Sequence, residues 1–504
     1  MSGFRKAMSL LGTGTVLGAL MVGAPAPASA AEGYSYREVT IPGAGGVKLD
    51  GNVFVPKGKG PHPAIVFISS WSLEDHEYIA QAVKFAERGY IVLSYTARGF
   101  FNSGGGIDVA GPLDIADGSK AIDWLIANTP VDRRRIGFGG ISYGSGISLM
   151  LASKDPRVSA VVAMDTWGDM VESLYAGQTR HSQIYYLLFA SGRLTGRYSP
   201  QTARVMADYE ANRNIPQVIR WGKERSPRTY LQGINKRKVP VYILNAYGES
   251  LFPPNQLLDY FGRLKGPKRL RLGIGDHAST SLTGVLGLPN AGWRDAHRWF
   301  DRHLRGVRNG IDKEPSLHSE VAWSRKVERA RSWESYRRAP VTTALAKRSF
   351  RAGQDTVANG GIALLSGGGQ TFGVPITAPT KRISRRDAAV WTLPARKKTV
   401  RLRGIPRLQA SVTPSGKSVT LIAYLYDVDA KGTGRLITHN ATTLRSSKPG
   451  RTHRLSLPLQ ATAYDVPRGH RIMLVVDTKD PLYWDATVPG TVKMTNARLT
   501  LPAG

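Results

Sequence analysis

The chain has 504 residues and no cysteine, and 69 Lys and Arg against 37 Asp and Glu give it a formal charge of +32. The length allows two domains, each burying its own core, and a hydrophobic fraction of 41% with 9% aromatics excludes a disordered or collagen-like chain. The missing cysteine excludes disulfide scaffolds, Cys-ligated zinc, thiol catalysis and lipidation on Cys, while the charge fits nucleic acid, an anionic surface or plain solubility.

Arg5 and Lys6 precede an apolar run over 10–22, and a Pro/Ala stretch ends in Ala28-Ser29-Ala30. A charged start, a short apolar centre and an A-x-A ending predict a secretory signal cleaved near Ala30. The run is too short to span a bilayer comfortably, and no later segment has the apolar length of a spanning helix. The expectation is an exported, soluble protein with 67 basic against 37 acidic residues, a charge of +30.

From residue 64 the chain alternates short β-rich runs with helical patterns. Residues 64–69 predict a buried strand, 79–88 a helix ending at Gly89, 90–95 a strand and 114–127 an amphipathic helix. Further strands are expected at 135–138, 158–164, 239–244 and 269–274. That spacing predicts βαβ units and a parallel sheet covered on both faces. Between 168 and 238 the pattern turns helical, aromatic and basic, which reads as a cap inserted over one edge of the sheet. The catalytic domain is thus expected over 31–311, and 312–340 is a polar, Arg-rich connector. From 341 to 504, alternating runs at 419–426, 454–459, 471–477 and 491–501 are separated by Gly/Pro/Asp turns, the pattern of a β-sandwich. This last region holds 25 basic and 8 acidic residues and no Glu, so more than half of the charge sits there.

The chemistry gathers at one turn. Residues 135–139 lead into Gly140-Ile141-Ser142-Tyr143-Gly144, and a helix-compatible run follows at 147–152. G-x-S-x-G between a strand and a helix presents Ser142 as a nucleophile on a strained turn, with small flanking residues to avoid collision. The Tyr143 N–H then points to where an oxyanion forms. A phosphate loop is the competing reading, but no Lys stands in the G-x-x-x-x-G-K-[ST] position. The base is expected in His277, which follows a predicted strand in Gly273-Ile274-Gly275-Asp276-His277. His297 and His303 fall on the amphipathic pattern 291–304 and read as packing. For the orienting acid, the order Ser, acid, His favours Glu249, in the loop after strand 239–244. Asp276 is too close to His277 in sequence for a good bond to the imidazole, and Asp259 lies inside a helical pattern. There is no H-E-x-x-H and no G-x-G-x-x-G, so neither a metal nor an organic cofactor is expected.

These residues carry a resemblance. Tyr95-Thr96-Ala97-Arg98-Gly99 leading to Ser103-Gly104-Gly105, the Ser142 turn, Leu251-Phe252-Pro253, and Arg298-Trp299-Phe300-Asp301 with Leu304-Arg305-Gly306 resemble the secreted α/β-hydrolases that include Xaa-Pro dipeptidyl-peptidases, CocE/NonD-type hydrolases such as cocaine esterase, and α-amino-acid ester hydrolases. The pair Leu425-Tyr426-Asp427-Val428-Asp429 and Gly469-His470-Arg471 extends it through the C-terminal region. The resemblance implies an α/β-hydrolase fold with a helical cap, a jelly-roll β-sandwich behind it, and Ser142, Glu249 and His277 as triad. Two departures stand out. The family more usually has Asp where Glu249 stands. Some relatives also place a Tyr hydroxyl in the loop after the first buried strand, where this chain reads Ser69-Ser70-Trp71-Ser72. The Trp71 N–H would then complete the oxyanion hole, although Trp71 serves equally as a pocket wall.

The expected substrate is a small ester, amide or short peptide. Twelve basic against five acidic residues over 168–238 disfavour a required substrate ammonium, with Asp169 and Glu172 as the local acidic spot that would argue otherwise. The rival reading is a secreted non-catalytic protein that binds anionic polymer through its basic β-domain. Nucleic acid is not expected as a partner of an exported chain whose arginines are spread along alternating strands, whereas the charge suits retention at an anionic cell wall.

Overall fold

The run around residue 64 becomes the middle of a ten-stranded sheet. The computed structural model describes residues 33–324 and 326–504, so the signal sequence expected over 1–30 lies outside the described residues. The strands are β1 (Tyr34–Pro42), β2 (Lys48–Pro56), β3 (His62–Ile68), β4 (Ile91–Tyr95), β5 (Val131–Ile141), β6 (Val158–Met164), β7 (Val241–Ala246), β8 (Lys268–Gly273), β9 (Leu317–Glu320) and β10 (Val327–Ala330). They pair in the order β1-β2-β4-β3-β5-β6-β7-β8-β9-β10. Pairing is parallel from β4 to β9 and antiparallel at both ends, so the sheet is mixed where sequence spacing predicts parallel strands alone. The connector expected over 312–340 is in part structural, because it supplies β9 and β10 to the sheet.

Alternation along β3 shows why both faces are covered. Ala64, Val66 and Ile68 pack with Ile115, Ile122 and Leu125 of helix α2 (Pro112–Asn128) and with Ile147 and Leu151 of α3 (Tyr143–Lys154). Ile65 and Phe67 face the other way, onto Ala82 and Phe85 of α1 (Ile79–Ala86) and onto Trp293, Trp299 and Phe300 of the helix Ala291–Leu304. His297 of that last helix stacks on Phe85 at 3.8 Å and His303 tilts against Trp299 at 4.3 Å, so both belong to packing. The cap consists of α4 (Met170–Leu174), α5 (Ser182–Thr195), α6 (Pro200–Glu210), α7 (Ile215–Glu224) and α8 (Leu231–Arg237), with no strand between β6 and β7. After it come α9 (Pro254–Arg263), α10 (Leu282–Val285) and α11 (Ala291–Leu304).

Beyond β10 the chain forms an antiparallel β-sandwich with its own core, including Leu408, Val412, Leu421, Leu425, Leu474 and Leu499. One sheet joins β11 (Pro340–Ala344) and β12 (Arg348–Ala352) to the C-terminal strand Gly490–Pro502, which continues through Arg407–Pro414 to His453–Pro458. The other orders Thr377–Pro379, Thr433–Arg445, Ser418–Val428, Arg471–Asp477 and Ala389–Thr392. Asp427 ties the motif pair 425–429 and 469–471 together, since its carboxylate accepts from the Tyr464 hydroxyl (2.9 Å) and meets His470 Nδ1 (2.8 Å). No helix of the described residues is long and apolar enough to cross a membrane.

Candidate active site

β5 ends at Ile141 and α3 begins at Tyr143, leaving Ser142 alone on the turn at φ 54°, ψ −116°. A non-glycine residue there costs about 1–3 kcal/mol, borne by the packing on either side. The flanking glycines are demanded by space. A Cβ on Gly140 would lie 2.9 Å from the Gly144 carbonyl carbon, and one on Gly144 would run into the Ile68 carbonyl of the neighbouring strand. The Ser142 N–H donates to the Met164 carbonyl at 2.9 Å, tying the turn to β6. Behind it the Tyr143 hydroxyl donates to Asp114 (2.8 Å) and accepts from the Ala110 N–H (2.9 Å).

The loops after β7 and β8 bring the other two residues to this turn. His277 Nε2 lies 2.8 Å from Ser142 Oγ, and Nδ1 lies 3.0 Å from Glu249 Oε1. Glu249 is 3% exposed, and the same Oε1 accepts the N–H groups of Leu251 and Phe252, each at 3.1 Å. Its Oε2 is buried with no hydrogen-bond partner among the described residues, so the imidazole and the two backbone N–H groups all meet the carboxylate at Oε1. Asp276 takes the part that its adjacency to His277 leaves open. Its Oδ1 accepts the backbone N–H groups of His277 (2.7 Å) and Ser250 (2.6 Å) and makes no bond to the imidazole.

The electrostatics follow from three carboxylates around one imidazole. Burial pushes the His277 pKa down, but Glu249 foremost, then Asp165 and Asp276, outweigh it and raise the value to about 9. Burial and the Glu249 charge push Asp276 up to about 6. Asp165 rises to about 7, through burial first and Glu249 next, against the lowering pull of His277.

Sequence reasoning passed over two supporting residues. Asp165 follows β6 at φ 48° and accepts from the hydroxyls of Ser281 (2.6 Å) and Thr280 (3.3 Å), bracing the loop that carries His277. Its signal was an Asp placed directly after a buried strand. Glu77 accepts the Ser70 N–H (2.7 Å) and hydroxyl (2.6 Å), holding the 69–72 loop, and burial pushes its pKa to about 7. In that loop Trp71 packs edge-on against Tyr143 at 5.4 Å and lines the space above Ser142, as a wall residue does. Asp169 and Glu172 form no acidic spot at the site. Asp169 caps α4 through the Val171 and Glu172 N–H groups and stands 3.7 Å from Arg228, and neither carboxylate lines that space.

A cavity of about 130 Å³ opens on Ser142 between the sheet edge and the cap. Among the described residues, Glu38, Asp75 and His76 could bring three metal-ligand atoms together. They lie outside the Ser142 cluster, and Asp75 is already bonded to Asn52 (2.6 Å) and Thr96 (2.9 Å).

The family profile of the X-Pro dipeptidyl-peptidase (S15 family) matches residues 45–279, and that of the X-Pro dipeptidyl-peptidase C-terminal non-catalytic domain matches 305–500. A putative Xaa-Pro dipeptidyl-peptidase of Streptomyces avermitilis is 23% identical over 513 aligned positions, covering 83% of this chain and 72% of the relative. An uncharacterized protein of Pseudomonas aeruginosa is 32% identical over 147 residues, which is 28% of this chain and 39% of that protein. Among solved structures, a CocE/NonD family hydrolase from Staphylococcus aureus superposes with a TM-score of 0.70 at 12% identity, covering 94% of each chain. An α-amino acid ester hydrolase gives 0.70 at 16% identity, covering 96% of this chain and 99% of that one. These structural likenesses show the fold, and the two profiles, meeting in one chain in catalytic and C-terminal order, show the lineage. Residues 45–279 thus carry an X-Pro dipeptidyl-peptidase (S15) domain and 305–500 the C-terminal domain of such enzymes; the chain is a serine hydrolase, and the reading of a non-catalytic binder falls.

Proposed function

We propose that the protein is an exported hydrolase that cleaves ester or amide bonds through an acyl-enzyme on Ser142. The observation that carries this is the unbroken chain from Ser142 Oγ through His277 to Glu249, mounted on a strained strand-to-helix turn. In the neutral imidazole, Nδ1–H donates to Glu249, so Nε2 is free to take the Ser142 proton. Oγ attacks the substrate carbonyl carbon and the carbonyl electrons move to oxygen. The N–H groups of Tyr143 and Trp71 receive that oxyanion in this reading, with the positive end of α3 behind the first. Collapse expels the alcohol or amine, which leaves with the proton from His277. Water then enters and gives a proton to Nε2 as its oxygen attacks the acyl carbon, and the bond to Oγ breaks, releasing the acid as His277 returns that proton to Ser142.

The names of the relatives bring dipeptidyl amides and amino-acid esters to the chain as candidate substrates, and the chemistry at Ser142 serves either bond. Export, with loss of the first thirty residues, belongs to the same reading. Rapid mixing with a p-nitrophenyl ester tests the mechanism. A burst of about one equivalent of nitrophenol is expected, with an acyl mass added to the peptide that carries Ser142. Turnover that persists in Ser142→Ala would overturn it.

A further inference from the structure

The space beside Ser142 has a chemical character that the fold does not dictate. Trp71, Tyr143 and Phe252 from the hydrolase domain meet Ile184, Val205 and Ile219 from the cap around it. Most polar tips on this wall are bonded elsewhere in the protein. Trp71 Nε1 donates to Leu188 O and Ser191 Oγ (both 3.2 Å), and Trp167 Nε1 donates to Arg225 O (2.7 Å). The Tyr185 hydroxyl donates to Glu210 (3.0 Å) and that of Tyr209 to Leu174 O (2.6 Å). Trp221 Nε1 has no partner among the described residues, and as a donor it offers a cation nothing. His181 stays uncharged, burial and then His439 pushing its pKa down to about 4.

No Asp or Glu lines the cavity among the described residues. The nearby cap carboxylates are engaged elsewhere: Asp208 with Asn214, Glu210 with two tyrosines, Glu224 with Arg225. A substrate ammonium would therefore lose its water and find no carboxylate, with only aromatic faces to set against that loss. An alkyl chain gains instead, by about fourfold in affinity for each methylene buried. The volume sets the length. An apolar cavity of about 150 Å³ accepts a benzene molecule, so this space of about 130 Å³ suits about six carbons.

We propose that this cavity is the acyl subsite and that it selects an uncharged aliphatic acyl group of about six carbons, with no ammonium on the α-carbon. The inference rests on the reading of Ser142 as nucleophile. The test compares kcat/KM of the purified protein on methyl acetate, butyrate, hexanoate, decanoate and 2-aminohexanoate, followed by acid release at a pH that keeps the amine charged. The rate constant is expected to climb about fourfold per methylene to hexanoate and to level or fall at decanoate. The 2-amino ester, which differs from hexanoate by the ammonium alone, is expected at least about tenfold below it. Val205→Phe, which shortens the cavity from the cap side, is expected to lower the hexanoate-to-acetate ratio at least about tenfold, a ratio that partial misfolding does not change. A flat acyl series, a 2-amino ester as good as hexanoate, or an unchanged ratio in Val205→Phe would overturn the subsite and leave the nucleophile standing. No hydrolysis of any ester, together with no labelling by a fluorophosphonate, would overturn both.

Discussion

His277 acts as a base only when neutral, and the carboxylates around it hold its pKa at about 9. The raised value favours the charged form, so the competent fraction grows as pH rises through neutrality and is lost towards acid. kcat/KM is therefore expected to climb with pH well past 7 and to level only near that pKa, as an initial-rate pH profile would read. Glu249→Gln removes the nearest charge. The acid limb should move down towards the ordinary imidazole value of about 6.5, while the maximum falls by about 10³–10⁴-fold because the tautomer is no longer fixed. Asp165→Asn is milder. It keeps an acceptor oxygen for one of the two hydroxyls, Ser281 or Thr280, gives up the other and removes one of the three charges, so the limb should shift down by less than in Glu249→Gln, with the rate at high pH reduced by less than about tenfold. A purely structural role for Asp165 would leave the limb in place.

At the scale of elements, the turn from β5 to α3 is the least tolerant part of the chain. Gly144→Ala would press a methyl group on the backbone of β3, and neither a rotamer change nor a flexible neighbour can relieve it. A loss of about 1–3 kcal/mol or more is expected in a chemical melt, with Ser142 displaced and hydrolase activity down at least about tenfold. The same steric demand made this site legible in the sequence. G-x-S-x-G is a record of backbone crowding, and the loops that hold Glu249 and His277 follow strands whose apolar runs announce them. The elements that were not legible have physical reasons too. β1 is an edge strand that is mostly exposed, so it carries no apolar run. β9 and β10 are four residues each in an Arg-rich stretch, and their neighbour β8 buries Arg269 and Arg271 because Asp295 of α11 and Glu314 pair with them. Charge that is neutralised in the fold looks like a solvent-facing connector in the sequence. Asp165 escaped for a related reason, since its value lies in a hydroxyl pair more than a hundred residues away.

At the scale of the molecule, the two domains are joined close to the catalytic loops. Leu364 of the β-sandwich domain donates its N–H to Asp276 Oδ2 (3.0 Å), one residue from His277, and Asn255 of α9 exchanges bonds with Leu459 O (2.8 Å) and the Ala461 N–H (2.9 Å). Arg403, buried in the C-terminal domain, grips Glu328 of β10 through two bonds (2.6 and 2.9 Å) and lies 2.8 Å from Asp465. Arg403→Ala would leave both carboxylates without their partner. Each is about a third exposed and can regain water, so the expected loss in a thermal melt is about 2 kcal/mol, below the cost of a fully buried pair. The +17 of residues 341–504 is thus partly structural, and retention at an anionic cell wall, which we propose for the remainder, has a direct test. Washing producing cells with rising salt should release it over a few hundred millimolar, where the screening length falls to several ångströms.

The central claim is that Ser142 is a nucleophile activated by His277, and a fluorophosphonate probe reads that directly. The wild-type protein should take up one equivalent, Ser142→Ala none, and His277→Ala should react far more slowly. Undiminished labelling of Ser142→Ala, or a well-folded wild type that takes up no probe, would contradict it.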